Sequence, residues 1–225
     1  MLDEPQLDEA RLALDADLGL ALAARMRALT LSRDAEAIAL RRLVRAARSR
    51  AEGEALKALW GRIEAAARPP LMATAQTAAA AADRYGRGFD VAADPETALR
   101  GAEAGRPALI ELEGRAWWAK LLVRPALAVV AALPDDPHGR PTALMIAAEQ
   151  PGPTGEDRSF WITDAAETAP IMEDALARAG LPGRLLHAGG GLKLFMLAGY
   201  VQREDGRLAG LPGDLAGVIG AAPTF

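Results

Sequence analysis

Residues 184–201 read RLLHAGGGLKLFMLAGYV, and this stretch decides the fold. Two apolar runs flank three consecutive glycines at 189–191, the pattern of two strands joined by a tight turn. No helix start follows the glycines, so a hairpin turn is preferred over a phosphate-binding loop. After the turn Leu192, Leu194, Met196 and Ala198 alternate, which places them on one face of a strand and predicts that they face helices. Working outward, the sequence predicts a strand over 159–163 and a helix over 170–179 stopped by Gly180. A short helix near 208–215 and a last strand over 217–221 complete a β-α-β-β-α-β order. That order is ferredoxin-like, a four-stranded antiparallel sheet with two helices on one face.

Upstream, 107–113 reads as a strand, 117–123 as a helix, 127–133 as a buried strand and 142–148 as another. Asp94-Pro95-Glu96 is a helix start, with a capping side chain, Pro in the first turn and an acid at the positive helix end. The Gly- and Pro-rich segment 151–157 marks a boundary. Further toward the N-terminus, Leu7, Leu14, Leu18, Leu22 and Leu29 recur at helical spacing and predict a helix over 7–30. Ser32 caps a second helix over 33–49. A third starts near Glu52 and carries Leu56, Leu59, Trp60 and Ile63. Pro69-Pro70 ends or kinks it, and an Ala-rich helical continuation runs to Asp83. The expected fold class is therefore α+β, divided into an all-helical domain over 1–83, a small α/β lobe over 84–158 and a βαββαβ unit over 159–225.

Composition narrows the function. The 225 residues contain no Cys, which excludes disulfides and thiolate chemistry, and two isolated His residues do not make a metal site. No cofactor is expected. Net charge is −4 with acids and bases interspersed, so there is no nucleic-acid footprint and no polybasic membrane patch. The N-terminal residues are acidic without an apolar run, and no uncharged stretch is long enough to span a bilayer. The expectation is a cytoplasmic protein.

Some residues also carry a family resemblance. Leu14-Asp15, Leu18, Leu22 and Arg25 resemble the first helix of the helical chorismate mutases. Glu36 with Leu40-Arg41-Arg42-Leu43 resembles their second helix, and residues 59–63, LWGRI, their last. Residues 142–146, TALMI, resemble the Thr-Arg-Phe strand of prephenate dehydratase. Residues 153–159 resemble the link into its ACT regulatory domain, and 217–223 that domain's closing strand. The resemblance implies a chorismate-mutase-like bundle, a single prephenate-dehydratase-like lobe and an ACT-like domain. It also implies a place in aromatic amino-acid biosynthesis.

What the resemblance implies about the site is sparse. Chorismate rearrangement needs fixed cationic donors around a dianion. Arg25 and Glu36 are the candidate catalytic residues, and Arg41, Arg45 and Arg48 are candidate substrate-binding cations. Asp8, Ala35, Ala67 and Leu71 stand where that family has polar groups, and Ala143 where the dehydratase has its Arg. Read without the family, Arg25 is equally an Arg at the edge of an apolar stripe, and Glu36 a first-turn helix acid. Trp117-Trp118 reads as a core anchor.

Two functions follow as expectations. The first is a degenerate member of that family acting as a non-catalytic binding or regulatory protein; the second is an active or weak chorismate mutase, an isomerase. Dehydratase activity is not expected. The partners expected are a small anionic metabolite resembling chorismate or prephenate, or an amino acid, and a second copy of the chain in a homodimer built on 7–30.

Overall fold

The computed structural model describes residues 9–28 and 32–225. The chain divides into two compact units, 1–31 and 32–225. The first contributes helix α1 (Glu9–Arg27). Leu14, Leu18 and Leu22 share a side of it, but Leu12 and Leu20 project from other sides at 100° per residue. Leu12, Leu14, Leu18, Leu20 and Met26 are all exposed. Leu7, Asp8 and Leu29 lie outside the described residues. No described helix is long and apolar enough to cross a membrane.

In the second unit, α2 (Arg33–Ala46) and α3 (Arg50–Ala67) are each capped by a serine. Ser32 Oγ accepts from the Ala35 amide and Ser49 Oγ from the Glu52 amide. Pro69-Pro70 terminates α3, and the expected Ala-rich helix resumes only at Ala78, after a strand. Leu71–Thr74 forms strand β1, buried at all four positions. A 3-10 turn, Ala75–Thr77, precedes α4 (Ala78–Tyr85). Strand β2 (Phe89–Ala92), helix α5 (Pro95–Glu103) and strand β3 (Ala108–Glu111) follow. Strand β1 pairs in parallel with both β2 and β3, so α4 and α5 sit in the crossover connections such pairs require.

Six more strands complete the sheet: β4 (Ala128–Leu133), β5 (Ala143–Ala147), β6 (Asp157–Thr163), β7 (Gly183–Gly189), β8 (Leu192–Ala198) and β9 (Ala216–Pro223). Helix α6 (Ala169–Arg178) lies between β6 and β7. The spatial order is β2-β1-β3-β5-β4-β9-β6-β8-β7.

The expected fold is corrected on this topology. In place of a chorismate-mutase-like bundle, a separate lobe and an ACT-like unit, one nine-stranded mixed sheet dominates. Two local causes account for the difference. Leu71–Thr74 is a short apolar run, which hydrophobic periodicity cannot assign to strand or helix. And β9 pairs in parallel with β4 through Val129 and Gly220, which joins the last four strands to the other five. Those last four do run antiparallel in the order β9-β6-β8-β7. The helix expected over 208–215 shrinks to one 3-10 turn, Gly206–Leu208.

Alternation then sorts the core into layers. Met72, Ile110, Val129 and Ile146 share one cluster with Leu99 of α5 and Trp118 of the 3-10 segment Trp117–Val123. Leu71, Leu109, Val130 and Met145 form another cluster with Ala81 of α4. At the far end Trp161, Phe195 and Leu197 pack with Met172 and Leu176 of α6. Leu194 and Met196, expected against the helices, instead join the cluster that holds Trp118.

Candidate functional site

The carboxyl ends of β1 and β3 are adjacent, while the chain leaves them in opposite directions, toward α4 and toward Trp117–Val123. A parallel sheet opens a crevice at such a divergence, where ligands bind. Here the crevice is a cavity of about 820 Å³, walled by Gln76, by Asp94 and Glu96 at the start of α5, and by Glu111, Arg115 and Lys120.

Glu111 is anchored in it by a buried hydroxyl. Thr74, at the end of β1, donates through Oγ1 to Glu111 Oε2. Thr74 Oγ1 is itself 3.0 Å from Thr77 Oγ1, and Thr77 donates to the Leu109 carbonyl at 2.9 Å. Both threonines are buried. Trp117 Nε1 donates to the Glu111 backbone oxygen at 2.6 Å, which fixes the indole as a wall of the same cavity. The hydroxyl chain locks the rotamer of Glu111 and leaves its carboxylate at the cavity surface.

The remaining charges divide into engaged and available ones. Asp94 caps α5 by accepting from the Thr97 amide at 2.7 Å, and that bond holds its carboxyl below the ordinary range. Glu96 accepts from Lys120 and from Arg124, whose Nη2 lies 2.7 Å away; these two cations hold it down to about 2. Glu111, Glu113 and Arg115 remain, a mixed-sign set beside an aromatic wall. Among the described residues no group of three or more metal-ligating side chains comes together.

The residues singled out in the sequence lie elsewhere. Arg25 belongs to α1, in the first unit. Glu36 is 3% exposed and lines a cavity of only about 40 Å³ with Arg33, Leu40, Trp60 and Tyr85. Arg41 is buried and donates to the Thr154 hydroxyl and the Glu156 carbonyl, both at 2.8 Å, and to the Thr224 carbonyl at 3.1 Å. Arg45 pairs with the Glu156 carboxylate. Arg48 is exposed, and its backbone amide donates to Glu52 at 2.8 Å. Arg41 and Arg45 therefore meet at Glu156, an acid, and Arg48 does not join them. Glu111, Thr74 and Arg115 were missed. Thr74 lay inside a stretch that reads as helix, and nothing local marks Glu111 as facing a cavity.

No family model matches the chain, and no match is found among curated proteins. Among solved structures, the chain is similar to one reported as "GqqA- a novel type of quorum quenching acylases". The identity is 16% and the TM-score 0.44, over 69% of this chain and 95% of that one. At that level the likeness says nothing about activity. The nine-stranded sheet, with no family model matching the chain, corrects the family resemblance and with it the link to aromatic amino-acid biosynthesis.

Proposed function

We propose that the protein is a non-catalytic binding protein for a small zwitterionic metabolite of the amino-acid class, held at the carboxyl ends of β1 and β3. One observation carries the reading: a carboxylate locked in place by a buried hydroxyl pair, in a cavity that also presents a guanidinium. Glu111 suits an ammonium group, Arg115 a carboxylate and Trp117 an apolar side chain. A purely anionic ligand is disfavoured, because the wall carries four carboxylates (Asp94, Glu96, Glu111, Glu113) against two cations (Arg115, Lys120). Nothing in the wall supports nucleophilic chemistry by a hydroxyl, a thiol, an imidazole or a free amine. The described lining has no His or hydroxyl, and its one Lys is ion-paired to Glu96.

The test is calorimetric titration with a panel of free amino acids, repeated on Glu111→Gln. Saturable binding of at least one, weakened roughly tenfold or more by the substitution, supports the reading, since a charge-assisted hydrogen bond is lost. No binding by any of them, or equal affinity in the variant, overturns it.

A homodimer is also proposed, on α1. Its exposed leucines are large apolar groups that a second copy can cover.

A further inference from the structure

At the start of β6, Arg158 is 3% exposed and has no carboxylate within ion-pair distance among the described residues. Its Nη2 donates to the Pro134 carbonyl at 2.6 Å and its Nη1 to the Gly139 carbonyl at 2.9 Å. Its Nε is buried with no hydrogen-bond partner among the described residues. Neutral carbonyls orient a guanidinium, but they do not balance its charge. Burial pulls Arg158 down to about 10, with Asp135 and Asp136 opposing that effect, so it remains a cation at neutral pH.

The acids that surround it are already engaged. Asp135 serves Lys57 at 2.9 Å and Arg84 at 3.1 Å. Asp136 accepts from the His138 and Gly139 amides at 2.8 and 3.1 Å. Asp157 accepts from the Thr154 hydroxyl at 2.6 Å and from the Thr154 and Gly155 amides. Arg184, at the start of β7, lowers the pKa of Arg158 by repulsion and has no ion-pair partner among the described residues. Arg158, Arg184 and Thr224 line one cavity of about 320 Å³ together with Pro137, Met196 and Asp157, the last with its carboxylate turned to the Thr154 and Gly155 donors. Gly183 keeps β7 tight against β8 beside it: a Cβ there would stand 2.6 Å from a Leu197 methyl and 3.0 Å from the Met196 oxygen.

We propose that this cavity, between the starts of β6 and β7, is a second ligand site that takes an oxyanion group, a phosphate or a carboxylate. The group bridges the Arg158 and Arg184 guanidinium groups and supplies the direct oxyanion contact that neither makes within the described residues. Planar guanidinium donors match both oxyanions, so the two sources share one chemistry.

The experiment titrates the full chain with inorganic phosphate and, separately, with succinate, at constant ionic strength. It is repeated on Arg184→Ala and Arg184→Glu. Arg184 is exposed, so neither substitution disturbs the core, and thermal unfolding confirms that both variants fold. Saturable binding of either anion, weakened roughly tenfold by Arg184→Ala and lost in Arg184→Glu, supports the site. Preference for phosphate assigns a phosphorylated ligand, and preference for succinate a carboxylate. Absence of saturable binding by both anions, or undiminished affinity in Arg184→Glu, overturns it. Failure of the amino-acid titration at Glu111 leaves this result untouched, because the two cavities share no residue.

Discussion

Arg41 on α2 donates to both the carbonyl oxygen and the hydroxyl of Thr154, 113 residues further along the chain. With its bonds to Glu156 and Thr224, the same guanidinium fastens α2 to the approach of β6 and to the residue after β9. One buried cation thus ties three separate stretches of sequence. Replacing it with Met removes the donors and leaves buried carbonyl acceptors unsatisfied. Arg41→Met is expected to lower stability by about 3 kcal/mol in urea unfolding. Arg42→Met, on the exposed neighbour, is expected to stay within about 0.5 kcal/mol.

Gly220 has φ +137°, and a Cβ there would come within 2.3 Å of the Val129 oxygen. Both the conformation and the space require glycine. Gly220→Ala is expected to cost about 3 kcal/mol or more, read as a lower midpoint in denaturant. An unchanged midpoint would contradict the close approach of β9 to β4.

Burial raises the Tyr85 hydroxyl to about 12 from its ordinary value of 10.0, against the lowering effect of Arg84. The folded state therefore holds this proton more tightly than the unfolded chain does. Its contribution to stability is complete below pH 10 and is lost as pH rises from about 10 through about 12. Unfolding followed across that window should show a steeper decline in the native protein than in Tyr85→Phe. Equal slopes would place Tyr85 in water.

The α1 proposal gives a simple measurement. Light scattering should show a dimer, and Leu14→Asp with Leu18→Asp should return the protein to a monomer, because a charge in an apolar contact is costly to desolvate. A monomeric parent protein would sink the proposal.

Most of the strands after residue 107 were legible, because their apolar runs are bounded by turn residues: Gly180, the 189–191 glycines, and Asp205-Gly206. Asp94 was legible as a cap for the same local reason. The sheet that unites those strands was not. It depends on β1, whose Ala-rich surroundings favour helix until burial between β2 and β3 overrides propensity. It depends also on the Gly220–Val129 pairing, a contact far apart in sequence. The candidate sites were illegible on similar grounds. Glu111 and Arg158 acquire their roles from Thr74 and from carbonyls of the 134–139 loop, and no spacing along the chain links those partners.

Strand β9 follows every other strand in the sequence yet lies near the middle of the sheet, between β4 and β6. During synthesis the five strands on one side and the three on the other emerge first, each group presenting a bare backbone edge to solvent or to a neighbouring nascent chain. Only when residues 216–223 leave the ribosome can the two edges be closed by one insertion. Translation order therefore makes the final strand the keystone of the fold, and a ribosome that stalls shortly before it releases two sticky half-sheets for chaperones to shield.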